Sequence, residues 1–137
     1  MEKRGREECL CGGGPILVYS CSGGSNVGQI SNEVAKMLAI SGRARMSCAA
    51  GIGGHVSGIV ESAKAAETSV VIDGCPLACT KKSFEHQGLK PSMHIVITDL
   101  GIKKSYDMAS IEKEEVERVF NEIAKRLPAP VMVKVQL

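Results

Sequence analysis

Aromatic side chains are nearly missing from this chain: two Tyr, two Phe and no Trp in 137 residues. So few flat rings offer little on which bases could stack. The charge balance adds no basic field either, since 17 Lys plus Arg face 15 Asp plus Glu for a net +2. Nucleic acid is therefore not an expected partner. No apolar run approaches the roughly 18 to 20 residues that span a bilayer, so no membrane segment is expected. The N-terminus MEKRGREE is charged and has no apolar core of a secretory signal, which makes a cytoplasmic location the expectation.

Familiar nucleotide motifs are absent as well. The loop Ser22-Gly23-Gly24-Ser25-Asn26 has the look of an anion cradle before a helix, but neither GxGxxG nor GxxxxGK[ST] occurs. Val27 and Gly28 stand where a cysteine phosphatase loop would carry its Arg after Cys21, which argues against phosphatase or arsenate-reductase chemistry. Internal repeats, heptads and low-complexity tracts are also lacking.

The chain does have 15 Gly and 6 Cys. In a reducing compartment, cysteines at this density read as metal or redox ligands before they read as disulfides. Their placement follows a regular pattern. Ile16-Leu17-Val18-Tyr19-Ser20 is a continuous apolar run, a strand buried on both faces, and it ends at Cys21. A helix with Ile30, Val34, Met37 and Leu38 on one face stops near Ser41-Gly42. A short strand over 44–47 ends at Cys48, and a Gly-rich loop over 49–54 leads to a helix carrying Val56, Ile59, Val60 and Ala63. Ser69-Val70-Val71-Ile72 is a third strand, followed by Asp73-Gly74-Cys75-Pro76-Leu77-Ala78-Cys79.

In that stretch Pro76 suits the first position of a helix, which would make Cys75 the N-cap and set Cys79 one turn on. Unpaired N–H groups and the positive end of the dipole favour thiolate there. Asp73 is expected to cap the turn. A fourth strand runs over 94–99 to Gly101, and Ser110 is expected to cap a last helix with Val116, Val119, Phe120, Ile123 and Leu127 inward. Val131, Val133, Val135 and Leu137 alternate with polar residues as an edge strand.

This order predicts an α/β protein: a three-layer αβα fold with a mainly parallel, flavodoxin-like sheet of about five strands in the order 2-1-3-4-5. Residues 1–14 read as a flexible arm carrying the Cys9/Cys11 pair, and residues 15–137 as one domain. In the order 2-1-3 the ends of the first three strands are neighbours, about 4.8 Å per step. Cys21, Cys48, Cys75 and Cys79 would then meet at the carboxyl edge, where open α/β sheets bind ligands. Four thiolates at about 2.3 Å make a closed tetrahedral zinc site. The same donors would suit an iron–sulfur cluster. Singly, a cysteine is more often core filling than a ligand; four brought to one edge from separate segments are hard to explain that way. Two weaker candidates are His55, as an extra ligand, and Lys81 with Lys82, as an attraction for a small anion.

The segments 19–23, 48–54 (CAAGIGG), DGCPLACTKK from Asp73, and 95–101 (IVITDLG) closely resemble the DGC-domain family, described as zinc-binding proteins with shared cysteines. The likeness covers roughly residues 15–105. It implies a cysteine-ligated metal site at Cys21, Cys48, Cys75 and Cys79 and says little about activity. The reading from residues and resemblance together is a small metal-binding protein with one zinc ion on those four thiolates. The alternative is a thiol or iron–sulfur redox protein or enzyme using Cys75 and Cys79 on a small anionic substrate.

Overall fold

The computed structural model describes residues 15–128. The first strand, β1 (Ile16–Ser20), leads into the helix α1 (Asn26–Ile40), which returns the chain to the short strand β2 (Arg45–Met46). Two helices, α2 (Ala49–Gly53) and α3 (Ser57–Ala65), precede β3 (Thr68–Asp73). Then come α4 (Cys79–His86), β4 (Met93–Val96) and α5 (Lys113–Ala124). All pairings are parallel, in the order β2-β1-β3-β4. Among the described residues the sheet thus has four strands rather than five. The expected edge strand at Val131–Leu137 lies outside them, as does the Cys9/Cys11 pair. No helix among the described residues is long and apolar enough to cross a membrane.

Strand alternation builds two cores, one on each face of the sheet. Val18, Val70, Ile72 and Ile95 pack against Ile30, Val34 and Leu38 of α1 and Val116, Val119 and Ile123 of α5. Leu17, Tyr19 and Val71 point the other way, onto Ile52 of α2, Val60 of α3 and Phe84 of α4. Tyr19 and Phe84 meet edge-to-face with centroids 4.8 Å apart. The result is three layers, with α1 and α5 on one face and α2, α3 and α4 on the other. Right-handed crossovers place them so, because β1 to β2 and β2 to β3 run in opposite directions along the sheet.

Four local expectations are corrected. The Gly-rich stretch 49–53 is not a loop but the short helix α2, capped by Cys48 and closed on Ile59: a Cβ on Gly51 would lie 2.3 Å from the Ile59 Cδ1. The helix after β3 starts at Cys79, not Pro76, because Cys75–Ala78 forms a turn with an Ala78 N–H to Cys75 carbonyl bond of 3.1 Å. Ala78 then takes the left-handed conformation, φ 52°. The fourth strand ends at Val96, and Ile97–Leu100 wind into a 3-10 turn. Ser110 does not cap α5, whose N-cap is Glu112; its hydroxyl donates to the Asp107 carbonyl instead, 2.9 Å.

Candidate thiol site at the strand ends

The switch in strand order lies between β1 and β3, where the chain leaves β1 toward one edge and β3 toward the other. A cavity of about 710 Å³ opens there, and Cys21, Cys48, Cys75 and Cys79 all line it. The cavity therefore opens at the strand-order switch, where open α/β sheets bind ligands. Cys21 follows the last residue of β1 and is half-buried; its sulfur accepts a hydrogen bond from the Gly74 N–H, 3.2 Å. Cys48 is the N-cap of α2, exposed, with its sulfur accepting from the Gly51 N–H at 3.3 Å. Cys75 is half-buried, and the Lys104 Nζ donates to its sulfur, 3.5 Å. Cys79 is the first residue of α4 and is exposed.

Gly74 is what allows the third strand end to close on the first helix. A Cβ there would lie 2.7 Å from the Val27 carbonyl carbon and 2.8 Å from the Gly28 nitrogen, both backbone atoms that have nowhere to go. The same close approach carries the Gly74 N–H to the Cys21 sulfur. Burial pushes the Cys21 thiol above the ordinary thiol range, and the Gly74 hydrogen bond offsets only part of that shift.

Asp73 does cap, over a longer reach than a turn. It is 1% exposed, and its carboxylate accepts from the Thr80 N–H at 2.9 Å and the Lys81 N–H at 3.2 Å, both in the first turn of α4. Its second oxygen is 2.8 Å from the His94 Nε2 on β4. Because Ala78 has no side chain that could cap, the carboxylate at the end of β3 supplies the missing acceptor. This fixes where Cys79 starts its helix.

Other expected residues fall outside the cavity. His55 is exposed, with φ 60°, and stacks edge-on against His86 with centroids 5.1 Å apart. Lys81 pairs with Glu85 at 3.9 Å along α4, and neither Lys81 nor Lys82 lines the cavity. The lysine that does is Lys104, with Tyr106 beside it, from the loop after the 3-10 turn. That loop follows β4, and the rule that ligand sites gather at carboxyl strand ends was the one signal pointing to it. Lys104 is held above the usual lysine range: desolvation works against its charge, and the Cys75 sulfur and Tyr106 outweigh it. His94, tied to Asp73, gave no sign in the sequence at all.

The donor set is chemically right for a soft metal ion, since thiolates select zinc, copper(I) and iron–sulfur clusters. N–H and ammonium donors aimed at sulfur are also the outer contacts that such sites use. The sulfurs are not gathered, however. Among the described residues no three His, Cys, Asp or Glu side chains stand close enough together to hold an ion. The expected closed tetrahedral cage is thus not preformed in this conformation.

The DGC domain family profile matches residues 17–123. The chain is 39% identical over 111 residues to the Anaerobic and virulence modulator AnvM of Pseudomonas aeruginosa strain PAO1, an alignment covering 81% of this chain and 84% of that protein. No solved structure matches it significantly.

Proposed function

This chain belongs to the DGC-domain family, and from that premise we propose that it is a small metal-binding protein. Cys21, Cys48, Cys75 and Cys79 would take up one soft ion, zinc in the first instance, as thiolates. One observation carries the reading: four cysteines from three separate segments line one cavity at the strand ends. Three of their sulfurs already accept from Gly74, Gly51 or Lys104. A bound ion would supply four covalent-like links between the ends of β1, β2 and β3 and the start of α4, and so couple the loops to the sheet. Cys21 and Cys75 are the less exposed pair, and Cys48 and Cys79 would have to move toward them to complete the ligand set.

A second reading is favoured by the Lys104–Cys75 contact. In it the chain is a thiol redox protein: Cys75 and Cys79 together give two electrons and two protons to an oxidised, small anionic substrate and close as a disulfide. The same cysteines could instead hold an iron–sulfur cluster.

Anaerobic purification, metal analysis by mass spectrometry and a visible spectrum separate these. About one zinc per chain and no colour supports the first reading, with each Cys→Ser change at the four positions weakening retention against a chelator. Iron with sulfide and a brown colour moves the assignment to a cluster. No metal uptake, with Cys75 readily alkylated, refutes the metal reading and leaves the thiol reading standing.

A further inference from the structure

The cavity is far larger than an ion needs. Its volume of about 710 Å³ falls inside the ~300–1,000 Å³ typical of small-molecule sites, while a water-sized body takes only about 30 Å³. Its mouth also keeps apolar side chains uncovered: Met46 is 40% exposed, Leu77 59% and Tyr106 79%, and all three line it. Single exposed apolar residues are ordinary, but three converging on one opening suit an apolar body seated between them.

Of the charged groups that line the cavity, the cation has more hydrogen-bonding capacity left. Asp73 and Lys104 are its charged lining residues. The Asp73 carboxylate is buried and already taken up by Thr80, Lys81 and His94. Lys104 has capacity left. Its ammonium carries three donors, and it meets the Cys75 sulfur at 3.5 Å and lies 5.1 Å from the centroid of the Tyr106 ring.

The lysine is also held in place from behind. Buried Asn26 accepts from the Ser105 N–H at 2.6 Å and donates to the Lys103 carbonyl at 2.9 Å, and its own N–H bonds the Ser105 carbonyl at 2.9 Å. Lys104 lies between these anchored residues, so the cost of ordering the loop is met before any ligand arrives.

We propose that this cavity binds a small organic anion, with a flat or branched apolar body against Met46, Leu77 and Tyr106 and a carboxylate or sulfonate on Lys104. This site does not depend on the metal reading, and its test is run on metal-free, reduced protein so that the two can fail separately. Fluorescence titration with 1-anilinonaphthalene-8-sulfonate probes it, with the uncharged N-phenyl-1-naphthylamine as the matched control. Circular dichroism and a cooperative melt establish that each variant is folded. The expected result is saturable binding of one sulfonate dye per chain. Lys104→Met should weaken that dye about tenfold and the neutral dye by less than about twofold. Met46→Ser with Leu77→Ser, both on the exposed rim, should weaken both dyes. The proposal is overturned by an absence of saturable one-to-one binding, or by sulfonate affinity that neither variant moves. Equal losses of the two dyes in Lys104→Met would overturn the anion assignment.

Discussion

Removing the carboxylate at Asp73 should loosen the start of α4, and the size of the effect follows from its partners. In Asp73→Ala the Thr80 and Lys81 N–H groups and the His94 ring lose their common partner at once. Thr80 is 3% exposed, so water is poorly placed to replace the carboxylate there, and an orphaned buried donor costs about 1–3 kcal/mol. Lys81 is nearer solvent, and loss of a cap of this kind costs about 1 kcal/mol. Together these give roughly 2–4 kcal/mol, or about 8–16 °C in the midpoint of a melt at about 4 °C per kcal/mol for a domain of this size. Asp73→Asn should fall between: its amide oxygen can serve Thr80 while its NH₂ turns to the His94 nitrogen, which leaves Lys81 unserved. The assay is thermal or urea unfolding together with amide hydrogen exchange at Thr80 and Lys81. Wild-type stability in Asp73→Ala, or unchanged protection at Thr80, would refute the argument that this carboxylate holds the helix.

Three further perturbations test neighbouring parts of the site. Gly74→Ala drives a methyl into the Val27 and Gly28 backbone and should destabilise by about 2–3 kcal/mol, with denaturant midpoints as the readout; a neutral result would show that the close approach is not tight. Ala78→Gly relieves the left-handed φ of 52° and should leave stability unchanged or raise it by about 1 kcal/mol, whereas Ala78→Val should lower it. Cys21, whose thiol burial pushes up, should be alkylated more slowly than Cys48 and Cys79 in metal-free protein at pH 8. Because its folded pKa lies above the unfolded one, its contribution is whole below about pH 8.5 and is lost as pH rises through the raised value. Cys21→Ser should flatten that alkaline decline in stability, and an unchanged slope would count against the burial argument.

Local periodicity carries the legible part of this fold. Val18, Val70 and Ile72 alternate with Leu17, Tyr19 and Val71 because both faces of a central strand are buried, and such runs announce themselves. The stripe Val116, Val119, Ile123 and Leu127 announces α5 in the same way. The signal failed where backbone chemistry was settled at a distance. Pro76 suits the start of a helix, but the acceptor that opens α4 is Asp73, so the helix begins at Cys79 once the turn over 75–78 is complete. Gly51 reads as part of a loop in the sequence, and only the packing of Ile59 against it shows why a glycine stands inside the helix α2.

The sequence by itself determined the α/β class, the edge of the sheet where the cavity opens, and the four cysteines that line it. It could do so because strand ends, short crossovers and handedness are local or general rules. Tertiary structure alone decided what else shares that edge. Lys104 and Tyr106 reach the cavity from a loop held by Asn26, 77 residues before the Lys103 carbonyl it binds. His94 meets Asp73 across neighbouring strands. It also decided that the four sulfurs line one cavity without closing on a common centre. That depends on side-chain torsions and on which backbone N–H each sulfur meets, and neither is written into the spacing of residues along the chain.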